Sequence, residues 1–298
     1  MLRKKKFSLQ SRYEEKISPY LYLIPALLFV GLFLIYPAVR TLYLSFTSWN
    51  GITKPKYVGL KNFQRILIDP TFKTSLINTL YWSIFSVVFP VALGFVAALS
   101  ISRLQNNNIF KILLFLPYAF SAVSVGVIWS FMYQDFGAIN EFLRILKLNN
   151  LTHIWLQEVP LNTFSLLIAF TWRMVGVNMV LFLISLQNLP QDPIEAAKIE
   201  GSSGLHLIRK IILPMLSSTT TVVIVMAFVN GINAFDVIWV MTHGGPYRSS
   251  ETLAVTMYRE SFILFNFGEG SAVAILLSII VFCSSIFYFR VASKKQRF

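Results

Sequence analysis

Charge is scarce in this sequence. Only 13% of its 298 residues are Asp, Glu, Lys or Arg, about half of the ~25% usual in soluble proteins. Acidic residues are the scarcer sign, 13 against 26 basic ones. A single cysteine, Cys283, excludes an intramolecular disulfide and a cysteine metal cluster; it reads as a small apolar packing residue. The three histidines, His153, His206 and His243, are far apart. There is no HExxH, no paired-histidine metal site and no GxSxG elbow, so the hydrolytic chemistries these motifs carry are not expected. The phosphate-cradling GxxxxGK[ST] is missing too. The chain is therefore expected not to hydrolyse ATP and to be no enzyme by itself. "HGGP" at 243–246 has glycines but no Lys, and reads as a turn after a helix.

What is abundant is apolar length. Hydrophobic residues make up 55% of the chain. Six stretches, near 20–46, 76–102, 112–133, 163–187, 215–242 and 269–289, approach or exceed the ~20 residues needed to cross a bilayer as helix. They are too long for barrel strands and do not alternate with period two. The basic start "MLRKKKFSLQSRYEEK" before the first run lacks a small-residue cleavage site after it, and reads as the flank of a retained anchor helix. The net charge of +13 does not point to nucleic acid, because of where it lies. With the N-terminus inside, inner segments carry 15 Lys/Arg and outer loops nine, the bias of the positive-inside rule. The first outer loop, with Lys54, Lys56, Lys61, Arg65 and Lys73, runs against it.

Two ionisable residues interrupt the runs: Arg173 in the fourth and Asp236 in the fifth, where Asn230 and Asn233 also lie. A charge at bilayer depth costs about 3 kcal/mol or more unless it meets protein or water. Each is thus a cavity candidate. For Arg173 the competing reading is a structural bond to nearby carbonyls; for Asp236 it is snorkelling or capping near the surface. A proton-coupled carrier would carry more membrane carboxylates.

Between the fourth and fifth runs stands "DPIEAAKIEGSSGLHLIRKIILP", 192–214. Asp192 suits an N-cap, Pro193 the first helical position and Glu195 the capping-box position. A short helix is expected over 193–200. Ala196 and Ala197 leave part of its surface thin, which favours close approach of another protein. Gly201 permits a left-handed turn, and Ser202 or Ser203 starts a second helix. This is a protruding helix–turn–helix with the signals of an interaction element.

The same segment resembles the signature loop of ABC-importer permeases: Glu-Ala-Ala, three residues, Gly, nine residues, then Ile-x-Leu-Pro. Here these are Glu195, Ala196, Ala197, Gly201, Ile211, Leu213 and Pro214. Further stretches resemble the carbohydrate-uptake branch: "PYLYLIPALLFVGLFLIYPAVRTLYLSF" (19–46), "VGLKNF" (58–63), "NTLYW" (78–82), "LPYAFSAVSVGVIW" (116–129), "LQNLPQDPIEAA" (186–197) and "MTHGGPYRSSETL" (241–253). The resemblance implies an all-α membrane protein of the type I importer permease fold. It would have six transmembrane helices (18–298), a cytoplasmic basic tail (1–17), a coupling loop (188–214) with a cytoplasmic coupling helix, and both termini cytoplasmic in a bacterial cytoplasmic membrane. It implies a second permease, making a heterodimer, two ATPase subunits that bind ATP and Mg, an extracytoplasmic solute-binding protein and a carbohydrate substrate. No cofactor is expected on this chain. Spans four and five would line the cavity, with Arg173, Gly176 and Val177 on one helical face and Asn230, Asn233 and Asp236 on another. Trp172 or Phe235 would stack on a sugar ring, and Arg173 would alternatively favour an anionic substrate. The alternative is a secondary transporter or channel working without ATPases.

Overall fold

The computed structural model describes the backbone of residues 9–104 and 108–295. Residues 1–8 of the expected tail lie outside the described residues, whereas residues 9–17 run within the first helix. That helix, α1 (Leu9–Val30), continues through a π-helical turn (Gly31–Ile35) into α2 (Tyr36–Ser45). A short antiparallel pair follows, β1 (Thr47–Ser48) and β2 (Lys56–Tyr57). Next comes α3 (Lys61–Ile68). Its buried Asn62 donates to the carbonyls of Ser45 (2.9 Å) and Thr47 (2.8 Å), tying this loop to the end of α2.

Asp69 starts α4 (Pro70–Ser102): its carboxylate accepts the Thr71 N–H at 2.8 Å. Pro70 sits where the helix needs no donor. One face of α4 buries Ser75, Asn78, Thr79, Trp82, Ser83 and Ser86 at three- and four-residue spacing. The hydroxyls of Thr79, Ser83 and Ser86 bond to carbonyls one turn back. Small, internally satisfied polar groups of this kind let membrane helices approach closely.

The third apolar run departs from the expected single span over 112–133. It forms α5 (Asn108–Ala119) and α6 (Ala122–Met132), which meet at 98°. At ~1.5 Å per residue each is well short of a ~30 Å hydrocarbon core. The break has a local cause. Pro117 removes a backbone donor from the last turn of α5. Ser121 then takes extended backbone and caps α6, its Oγ accepting the Ser124 N–H at 3.0 Å.

A compact segment with α7 (Ala138–Ile145) leads to α8 (Leu161–Gln187). The connecting loop holds α9 (Asp192–Ile199), α10 (Gly204–Leu207), a π-helical turn (Ile208–Ile212) and α11 (Leu213–Met215). The fifth run is α12 (Ser217–Ile232) and α13 (Asp236–Thr242), separated at 233–235. Then come α14 (Leu253–Tyr258), a π-helical turn (Arg259–Ile263) and α15 (Phe267–Lys295). Among the described residues, five helices are long and apolar enough to cross a membrane, and the bent α5–α6 pair makes a sixth if it is one span.

α8 packs along α4 and α5, and α12 along α4. One core gathers Trp82, Leu166, Leu167, Phe170 and Ile238; a second gathers Val91, Met179, Phe182 and Val223. Large apolar side chains such as Phe33, Ile84, Phe131 and Phe282 stay on the outside, as in a bundle solvated by lipid tails.

Candidate translocation cavity and coupling loop

The two interrupted spans meet. A cavity of about 110 Å³ lies between the start of α6, the middle of α8 and the α12–α13 break. It brings together Arg173, Asn230, Asn233 and Asp236, four of the six residues expected there. Phe235 joins them, and so do Trp82 from α4 and Phe170 from α8. Gly176 and Val177 are not among the lining residues. Gly176 is buried where a Cβ would collide with the backbone of Leu114 and Phe115, so it serves the close approach of α5 and α8. Val177 packs beside the Trp82 core. Helical spacing places both on one face with Arg173, but one turn further along that face meets a neighbouring helix.

Arg173 lines the cavity and also bonds to a nearby carbonyl, the competing reading. Its Nε donates to the Phe120 carbonyl at 3.4 Å, an acceptor left open where α5 stops. The guanidinium also lies 5.3 Å from the centroid of the Tyr118 ring. Asn233 donates to the Val229 carbonyl at 3.0 Å, holding the last turn of α12. Ala234, inside the break, has its carbonyl satisfied by the Thr252 hydroxyl at 2.7 Å. Broken helices at depth are stable only where protein or a polar cavity receives the freed backbone groups. Two larger grooves, about 580 and 480 Å³, lie on apolar outer faces. Walls such as Ile84, Phe228, Phe89 and Leu113 offer a polar solute no partner.

Trp82 was not picked out by the sequence reasoning except as part of "NTLYW". The spacing explains that motif. Asn78 donates to the carbonyls of Ser249 (2.7 Å) and Glu251 (2.8 Å), and Thr79 Oγ1 accepts the Leu253 N–H at 2.9 Å. One turn further, on the same face, Trp82 reaches the cavity wall. Asn162 on α8 adds bonds to the Gly245 carbonyl (3.0 Å) and Ser249 Oγ (2.9 Å). The 241–253 stretch is thus clamped to α4 and α8. Its centre is Glu251, fully buried and ion-paired with Arg248 (2.7 Å) and Arg259.

The loop between spans four and five folds on itself. Ile194, Ala197 and Leu207 are buried together, with Leu189, Ile211, Ile212 and Met215 around them. Ala197 therefore faces inward, and only Ala196 of the pair is exposed. α9 begins at Asp192, one residue before the expected start. Gln191, whose carbonyl accepts the Ile194 and Glu195 N–H groups at 2.9 Å, takes the cap position in place of Asp192. The end of α9 is as expected. Gly201 has φ +88°, the Ser202 N–H bonds to Ala197 O (2.8 Å) and the Gly201 N–H to Lys198 O (3.0 Å). This is the Schellman pattern, which requires a left-handed residue at that point. Ser203, in extended backbone, precedes α10. The π-helical turn then lets Leu213 bond back five residues to Ile208, just before Pro214, which has no N–H to give. Around Gly201 two large apolar side chains stand in the open, Ile199 (87% exposed) and Leu205 (84%).

Residues 90–297 match the family model described as the binding-protein-dependent transport system inner membrane component. The chain belongs to this family. It is 35% identical over 261 residues to a probable ABC transporter permease of Pyrococcus horikoshii, covering 86% of this chain and 89% of the relative. It is 31% identical over 291 residues to an alpha-glucoside transport system permease of Rhizobium meliloti, covering 96% and 85%. The fold is that of a type I ABC importer permease. It superposes with a TM-score of 0.84 on a chain of a bacterial ABC transporter involved in import of the acidic polysaccharide alginate. That match covers 95% of this chain and 99% of the other at 18% identity, so it bears on fold alone.

Proposed function

We propose that this chain is one permease of a binding-protein-dependent ABC importer that carries a saccharide across the bacterial cytoplasmic membrane. A second, different permease completes the pathway. Two ATPase subunits bind ATP and Mg and do all the hydrolysis, and a solute-binding protein delivers the substrate from outside. This permease contributes no bond-breaking step and binds no cofactor. The loop at 188–214 is cytoplasmic, as are both termini.

The observation that carries this reading is the α9–Gly201–α10 unit. Its inner face is packed and its end is locked by the Schellman bonds. Ile199 and Leu205 are nevertheless left in the open, on a part of the chain that would lie in water. Two exposed apolar side chains on a rigid turn suit a groove in another protein. Seated in an ATPase, α9 becomes the lever through which closure of the ATPase dimer reaches α8 and α12. The cavity supplies the binding groups. At about 110 Å³ it is smaller than complete small-molecule sites, which run ~300–1,000 Å³. That size fits a half-site finished by the second permease. The similarity to an alpha-glucoside permease supports the saccharide assignment.

Reconstitution tests it. Proteoliposomes holding both permeases, both ATPases and the binding protein should take up the saccharide only with ATP inside the ATPase-bearing compartment. Uptake by the permeases alone, at the same rate and without ATPases, would instead make this a secondary transporter or channel.

A further inference from the structure

The cavity contains one fixed cation and one fixed anion, and they do not satisfy each other. Arg173 and Asp236 both line it, no other lining side chain is ionisable, and among the described residues the two form no ion pair together. Trp82 adds an unusual feature. The residue is fully buried, lines the same cavity, and its indole N–H has no acceptor among the described residues. Buried donors without partners are rare in folded proteins. The wall therefore presents one group that only donates (the Arg173 guanidinium), one that only accepts (the Asp236 carboxylate), and two amides that do both, Asn230 and Asn233, with the buried Trp82 indole N–H as a further donor among the same lining residues.

We infer that the cavity selects neutral, polyhydroxylated substrates and rejects anionic ones, with Asp236 as the discriminating residue and Trp82 as a donor to a substrate oxygen. This rests on the saccharide-permease reading and narrows it. A hydroxyl group accepts from Arg173 or Trp82 and donates to Asp236 with the same atom. A neutral sugar or polyol thus leaves neither charge unmet. A carboxylate or phosphate only accepts. It would pair with Arg173, has no proton to give the Asp236 carboxylate, and would bring a second negative charge beside it in a medium that screens poorly.

The test is direct binding to the whole complex in detergent, without the solute-binding protein, whose own selectivity is thereby removed. Tryptophan fluorescence is titrated with a neutral set (mono-, di- and trisaccharides and polyols) and an acidic set (hexuronates, uronate disaccharides and glycerol phosphate). The best neutral ligand should bind at least tenfold tighter than any acidic one. Asp236→Asn, which keeps the shape, should reduce that ratio to threefold or less. Trp82→Phe should weaken the best neutral ligand at least threefold. A best ligand from the acidic set, or an unchanged ratio in Asp236→Asn, overturns the assignment while leaving a saccharide importer intact. Wild-type affinity in Trp82→Phe removes Trp82 from it. Binding of neither set, with ATP hydrolysis unresponsive to both, overturns the assignment together with the saccharide reading beneath it.

Discussion

Replacing Gly201 with Val is expected to uncouple the permease from its ATPase while leaving the spans in place. Gly201 holds φ +88°. A side chain forced into left-handed backbone costs ~1–3 kcal/mol, and a β-branched one lies at the upper end. If the turn opens instead, the two Schellman bonds to Ala197 and Lys198 go with it, each worth roughly 0.5–1.5 kcal/mol net. Either route disfavours the observed turn by about 2–3 kcal/mol, a thirty- to hundredfold change in population at 1.4 kcal/mol per decade. α9 is only eight residues long and has no stability of its own to absorb this. Within the chain the effect is purely conformational, since a Cβ at 201 would meet nothing within 4 Å. Asn is the discriminating control. It is close to Val in size but tolerates left-handed backbone, so Gly201→Asn should stay near wild type. The readouts are the ATPase-to-permease ratio after co-purification and substrate-stimulated ATP hydrolysis. Val failing while Asn works supports the backbone argument. Equal failure of both would mean that bulk at the docking surface, not φ, is limiting. Wild-type behaviour of Gly201→Val would refute the rigid turn outright.

Four further substitutions have expected outcomes. Leu205→Glu and Ile199→Glu place charge where an apolar contact is needed, and each should lower ATPase co-purification at least tenfold with unchanged membrane insertion; retained association would move the docking surface elsewhere. Glu195→Ala should be milder than Gly201→Val, because Glu195 is exposed in the first turn of α9; it contributes mainly its interaction with the helix N-terminus, about 0.3–1 kcal/mol, so stimulated ATP hydrolysis should fall by no more than a few-fold. Glu251→Gln removes a fully buried carboxylate from Arg248 and Arg259, a type of change that costs about 3–5 kcal/mol; the thermal unfolding midpoint of the detergent-solubilised chain should drop by several degrees, and an unchanged midpoint would show that the two arginines find other partners.

The long apolar helices and the helix–turn–helix at 192–214 were largely legible in the sequence because their signals are local. Apolar length marks the helices, and a Gly followed by a Ser pair marks the turn at 201. What was not legible depends on neighbours. Hydropathy runs straight through 112–133, and the bend appears only when Pro117 and Ser121 are weighed as breaker and cap. The same holds for 233–235, where the break survives because Thr252, eighteen residues away, satisfies the Ala234 carbonyl. Gly176 shows the limit of helical spacing: it shares a face with Arg173, yet α5 occupies the space beside it. The cap at α9 was misplaced by one residue because Gln191 offers only its backbone carbonyl, which composition cannot reveal.

Trp82 links the two halves of this structure. The buried face of α4 that carries its indole also carries, one turn earlier, Asn78 and Thr79, which hold the 241–253 stretch by its backbone. That stretch reaches back into the cavity region through the Thr252 hydroxyl on Ala234. The 241–253 stretch is thus hydrogen-bonded both to the N-terminal half of α4 and to the α12–α13 break. Pulling these elements apart would leave buried polar groups unmet, which favours their moving together. Movement transmitted from α9 through α8 and α12 would therefore displace this unit as a body. Asn162 ties the same stretch to α8, so the cavity groups on α8 and those at the break would move with it and keep their relative geometry. A binding site that alternates between two access states can use such a unit, since the substrate's partners stay ordered while the route to them opens and closes.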